Sequence, residues 1–106
     1  MVKRRIDMNA LELRMQGHAN SDRHGKDLVC CALSILTETL SRYLERMLAE
    51  GQIYNLREEI EPGDVYIQAE PWGWSRKDTW VAFNVIREGM RALAKENEKF
   101  IEMKEE

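Results

Sequence analysis

His18 and Cys30 are the residues of this chain whose types and spacing can do chemistry together. The string Gly17-His18-Ala19 leads through a short polar loop to Gly25-Lys26-Asp27-Leu28-Val29-Cys30-Cys31-Ala32-Leu33-Ser34. It sets an imidazole where an extended segment ends and a thiol where a helix begins. A thiol attacks a carbonyl as the thiolate, so it needs a base to take its proton and an electropositive setting to hold the charge. A histidine is suited to both tasks, since it accepts the thiol proton and later protonates a departing amine. Asp27 is placed to cap the helix or to orient His18, and capping needs only local geometry. His24 is an alternative base and Cys31 an alternative nucleophile. His18, His24, Cys30 and Cys31 lack the separated ligand pairs of a zinc module, so no metal site and no cofactor are expected.

The elements that must position this pair are readable from periodicity. Leu11, Leu13 and Met15 alternate with Glu12, Arg14 and Gln16, and Val2, Ile6 and Met8 supply a shorter partner strand, which predicts a hairpin turning near Asn9. Val29, Leu33, Leu36, Leu40, Leu44 and Met47 recur at helical spacing, predicting a helix over 28–49 with Asp27 as N-cap and Gly51 as its stop. On that helix Cys30 lies roughly 90° from the centre of the apolar stripe, on an edge shared with Ser34, Thr37 and Ser41, while Cys31 lies roughly 170° away. Cys30 is therefore the better placed thiol. About three residues after its cap, it would also sit near free backbone N–H groups that favour a thiolate and can bind an oxyanion.

A second hairpin is expected over 53–69, turning at Glu61-Pro62-Gly63-Asp64. Ser75 or Asp78 can cap a second helix that shows Phe83, Ile86, Met90 and Leu93 on one face and runs to about Lys95. The charged tail over 96–106 is expected to extend that helix or fray. The order ββαββα predicts an α+β two-layer sandwich, a four-stranded antiparallel sheet covered on one face by two helices. A length of 106 residues predicts a single domain over 1–106.

Composition excludes several classes. Sixteen basic against nineteen acidic side chains give a net charge of −3, which offers no general attraction to nucleic acid or anionic membranes. Neither a signal peptide nor a membrane span is apparent, and the two adjacent cysteines read as free thiols, so a cytoplasmic protein is expected.

The combined string from Gly17 to Ser34 resembles the signature of the ribosomal-processing cysteine protease family Prp. The resemblance aligns His18 with the family's catalytic histidine and Cys30 with its catalytic cysteine. It implies a homodimeric cytosolic thiol endopeptidase that removes a short N-terminal extension from a large-subunit ribosomal protein in Firmicutes. Phage-encoded members of the family are thought to act on capsid or scaffold proteins with a similar cleavage sequence. Apolar and aromatic substrate residues before the cut imply a hydrophobic groove beside the thiol. Cys31, the polar loop over 20–24 and Trp72-Gly73-Trp74 depart from the family pattern. The tryptophans read as a lid on the sheet end or as a substrate or dimer surface.

Two other readings compete. A non-catalytic protein-interaction module of the same fold would carry an ordinary thiol at Cys30, indifferent to His18. A redox sensor built on Cys30 and Cys31 lacks a separate resolving cysteine. A homodimer is expected on size as well, because two helices on one sheet face leave the other to be covered.

Overall fold

The computed structural model describes residues 3–17 and 24–106, and the side chains from residue 28 within the first helix. Its elements are β1 (Arg4–Asn9), β2 (Glu12–Gln16), α1 (His24–Ala49), β3 (Ile53–Glu61), β4 (Asp64–Pro71), α2 (Arg76–Glu96) and β5 (Ile101–Glu105). The α+β class and the two helices agree with the sequence reading, but the sheet has five strands rather than four. Its order is β3-β4-β2-β1-β5, and it is mixed rather than antiparallel, because β5 runs parallel to β1 with Ile6 opposite Met103.

The tail expected to extend the second helix or fray makes that fifth strand. Asn97 ends α2 by donating its side-chain amide to the Leu93 carbonyl at 2.9 Å, and its own carbonyl accepts from the N–H groups of Phe100 and Ile101. The chain then turns into β5, where Ile101 is buried and Met103 packs against the core while Glu102 and Lys104 face the other side.

The two predicted hairpins form as expected. In the first, Ile6 stands opposite Met15 and Met8 opposite Leu13. In the second, Leu56 stands opposite Ala69 and Ile60 opposite Val65. Alternation sends Ile6, Met8, Leu13, Met15, Val65, Ile67 and Ala69 into one core with Val29, Leu33, Leu40, Leu44 and Met47 of α1 and Phe83, Ile86 and Met90 of α2. The helices touch closely at Gly89, where a Cβ would lie 2.8 Å from a Leu36 methyl.

Helix ends only partly follow the expected caps. Gly51, at φ 74°, closes α1 with its N–H on the Leu48 carbonyl and that of Gln52 on the Met47 carbonyl, the paired bonds of a Schellman ending. Ser75 precedes α2 as expected, yet its hydroxyl makes no cap bond and instead donates to the Gln52 carbonyl, tying the helix start to the foot of β3.

The uncovered face of the sheet is polar. Arg14 and Arg57 lie over the Tyr66 ring at 4.6 and 5.4 Å, and the Tyr66 hydroxyl donates to Glu12 at 2.5 Å. Arg5 stands opposite Glu102 and Asp7 opposite Lys104 on the same side. The expectation that this face needs covering by a second subunit therefore fails on its chemistry, since charged and hydrogen-bonded groups already suit it to water.

Candidate active site

The end of β2 is held from three sides. Gly17 donates its N–H to the Gly63 carbonyl at 3.0 Å, in the turn between β3 and β4. Its carbonyl accepts from Nη1 of Arg4 at 3.1 Å. Its φ of 115° favours glycine, and a Cβ there would lie 2.8 Å from the Lys3 carbonyl oxygen. No other residue fits this position without moving β1. His18, Ala19 and the loop up to residue 23 lie outside the described residues, as does the side chain of Asp27, so the expected geometry of His18 and the role of Asp27 are not drawn from the structure.

Helix α1 begins at His24, earlier than the expected cap at Asp27. Asp27 thus stands inside the helix, not at its N-cap. Cys30 falls in the second turn rather than the first, beyond the four leading residues whose N–H groups lack helical partners. The Cys30 amide is consequently part of the helical ladder, and the expectation that it serves as a free oxyanion donor is not supported. Gly25, read as loop punctuation, is also helical.

Both thiols are free; Cys30 is half-buried and Cys31 exposed. That difference follows the angular positions read from the sequence, with Val29 and Leu33 buried on either side of Cys30. The edge that carries Cys30 continues through Ser34, Thr37 and Ser41, and these three wall a groove of about 410 Å³. Its far side is the β3–β4 turn, with Ile60 and Pro62, and its floor includes Arg4 and Met15. Ser34 follows Cys30 by one helical turn, about 6 Å along the axis. The groove therefore begins about one helical turn from the thiol.

Its lining is mixed rather than hydrophobic as expected. Thr37 is 3% exposed, and its Oγ1 is buried without a hydrogen-bond partner; the same holds for Nε of Arg4. The Ser41 hydroxyl bridges Glu45 at 2.9 Å and Glu58 at 2.5 Å. Burial, and the Glu45 charge after it, push the Glu58 carboxyl above the usual carboxylate range against the Ser41 hydrogen bond. Sequence reasoning placed Thr37 and Ser41 on this edge but did not identify Arg4 or Glu58. An arginine in the inward-facing series of β1 with Ile6 and Met8 was the available signal for Arg4.

A second cavity, of about 380 Å³, lies between the outer surfaces of α1 and α2 and is lined by Tyr43, Lys77, Asp78, Val81 and Val85. It contains no cysteine. Trp72 rests on Tyr54 with ring centroids 4.7 Å apart, beside the Ile53–Pro71 pairing and so at the opposite end of the hairpin from the Gly63 turn. Trp74 is 70% exposed and covers no core. No group of three or more metal-ligating side chains occurs among the described residues, and no helix among them is long and apolar enough to cross a membrane.

The family model for cysteine protease Prp matches residues 1–102. Among solved structures, the essential ribosomal processing protease Prp from S. aureus in complex with a substrate peptide is similar, with a TM-score of 0.74 and 12% identity over 97% of this chain and 99% of that one. The same protease with a covalently linked product peptide gives a TM-score of 0.64 at 14% identity, covering 97% of this chain and 99% of that one. SMU.848 from Streptococcus mutans gives 0.68 at 20% identity, covering 99% of this chain and 93% of that one. No curated protein matches the sequence.

Proposed function

The chain belongs to the cysteine protease Prp family, and from that premise we propose that it is a thiol endopeptidase with Cys30 as nucleophile and His18 as base. Its substrate is the N-terminal extension of a large-subunit ribosomal protein, and the product is the shortened protein in the cytoplasm. The family match over residues 1–102 is the observation that carries this reading. The half-buried Cys30, one helical turn from the Ser34 end of the groove, supports it.

In the proposed reaction His18 takes the Cys30 proton and the sulfur attacks the scissile carbonyl. A tetrahedral oxyanion forms and collapses, the C–N bond breaks, and the imidazolium gives its proton to the leaving amine. Water, deprotonated by the same imidazole, then releases the acyl fragment from sulfur. Cys31 takes no part, because it projects from the helix away from the groove edge. A phage capsid or scaffold protein carrying a similar cleavage sequence is the alternative substrate within the same chemistry.

We also propose that the enzyme works as a homodimer, joined through its helices. The exposed apolar side chains Tyr43, Val81 and Val85 gather at the cavity between α1 and α2, with Lys77 and Asp78 beside them. A two-fold axis there would cover the valines and pair the lysine of each subunit with the aspartate of the other.

Incubating the purified chain with a synthetic peptide of the ribosomal protein's N-terminal extension, followed by mass spectrometry, tests the function. One defined cut is expected. An intact peptide, together with Cys30 alkylation that His18→Ala leaves unchanged, would favour the non-catalytic interaction module.

A further inference from the structure

Ser41 stands between more acceptors than its one hydrogen can serve. Its Oγ lies 2.9 Å from Oε2 of Glu45 and 2.5 Å from Oε1 of Glu58. A hydroxyl donates once, so two ionised carboxylates cannot both be satisfied by it, and one of them meets Oγ lone pair to lone pair unless a proton or a cation joins the group. Among the described residues no ion pair reaches Glu45 or Glu58, and the neighbouring Arg42 is held by Glu38 at 2.7 Å. Glu58 is also the odd member of its face. Leu56, Glu58 and Ile60 share the inward side of β3, opposite Ala69, Ile67 and Val65, and an apolar residue at the middle position would bury surface at no electrostatic cost. Burial and then the Glu45 charge hold the Glu58 carboxyl above the usual range, as expected of an acid with no cation beside it.

A second polar group without a partner lies one helical turn away. Thr37 is 3% exposed, it walls the same groove as Ser41, and its Oγ1 has no hydrogen-bond partner. An ammonium group carries three N–H donors, which two carboxylates and a threonine oxygen can accept. No group of three or more metal-ligating side chains gathers among the described residues, so the cluster suits an organic cation rather than a metal ion. We propose that Glu45 and Glu58, joined through Ser41 and flanked by Thr37, form a subsite that takes a lysine side chain of the peptide lying along α1. This rests on the endopeptidase reading for its ligand. Ser41 stands about 16 Å beyond Cys30 along the helix axis, a distance that an extended peptide covers in about five residues. The lysine is therefore expected at that separation from the bond that is cut.

The test uses the full chain and the ribosomal extension peptide, its own basic residues replaced by glutamine, with lysine or the uncharged norleucine placed at each position in turn. Cleavage kinetics are measured on the parent, and binding of the labelled peptides to Cys30→Ala by fluorescence anisotropy. At one position, about five residues from the scissile bond, lysine should lower KM and Kd against norleucine and leave kcat unchanged. The expected gain is about tenfold, the effect of one charge-assisted hydrogen bond. Glu58→Gln should lose that gain while its melting temperature holds or rises, and Glu59→Gln, on the outward side of β3 opposite Tyr66, should keep it. Cleavage with no position at which lysine is preferred would overturn the subsite and leave the endopeptidase standing. A lysine preference that Glu58→Gln retains would overturn the subsite as well. Lysine-selective binding to Cys30→Ala that is lost on adding Glu58→Gln, with no peptide cut by the parent, would uphold the subsite and overturn the endopeptidase reading. No cut and no lysine preference in binding would overturn both.

Discussion

Two buried threonines, one on each helix, should respond to the same substitution with opposite signs. Thr37 on α1 is 3% exposed with an unpartnered Oγ1, whereas Thr79 on α2 is fully buried and donates to the Ser75 carbonyl at 2.9 Å. Threonine to valine exchanges the hydroxyl for a methyl of similar shape. At Thr37 it removes a polar group that gains nothing in the folded state, and an unsatisfied buried hydroxyl costs about 1–3 kcal/mol. At Thr79 it deletes a made hydrogen bond, worth about 0.5–1.5 kcal/mol net. In a chain of 106 residues, 1 kcal/mol moves the melting temperature by about 4–8 °C. Thermal denaturation followed by circular dichroism should show Thr37→Val melting several degrees above the parent and Thr79→Val several degrees below it. A drop in Thr37→Val, or shifts of the same sign in both, would refute the reading of the groove wall as carrying an unsatisfied donor.

Glu58→Gln should stabilise the protein near neutral pH. The folded-state pKa of Glu58 is raised, chiefly by burial, so its favourable contribution is complete in acid and lost as pH rises through that raised value. The gain from Glu58→Gln should accordingly shrink as pH falls below the carboxylate range, and a pH-independent difference would count against the assignment. Val85→Asp, at a position 65% exposed between the helices, should convert a dimer into a monomer in sedimentation. A charge reversal at Arg5 on the polar sheet face should not, and the opposite pattern would move the interface to the sheet. Gly17→Ala should abolish cleavage and lower stability, because the new Cβ meets the Lys3 carbonyl at a position of positive φ; full activity would mean that the strand end moves freely.

Much of the architecture was legible because it follows local periodicity. The apolar spacing from Val29 to Met47 gives α1 and sets Cys30 on the rim of its apolar stripe and Cys31 on the outer side, in line with their exposures. The alternation of Glu12, Arg14 and Gln16 with Leu13 and Met15 gives β2, and it already implies the charged outer face that argues against pairing through the sheet. β5 was missed because Ile101 and Met103 are the only two apolar residues of a strand otherwise charged, its third inward position being Glu105, and because its partner, β1, is almost a hundred residues distant in sequence. Non-local parallel pairing leaves little mark on a short window. The start of α1 was misplaced since the apolar stripe begins at Leu28 and Gly25 looks like a breaker; the helical backbone nevertheless runs back to His24. The Arg4–Gly17 contact needed the register of the first hairpin, which periodicity does not supply.

The central claim, that Cys30 is the nucleophile, is tested most directly by trapping the enzyme in turnover. The full chain is mixed with the ribosomal extension peptide, quenched in acid, and digested, and the helix fragment is sequenced by tandem mass spectrometry. The expected result is an acyl adduct with the mass of the N-terminal peptide fragment on Cys30, absent from Cys30→Ala, strongly reduced in His18→Ala and retained in Cys31→Ala. An adduct on Cys31, or undiminished cleavage by Cys30→Ala, would contradict the assignment.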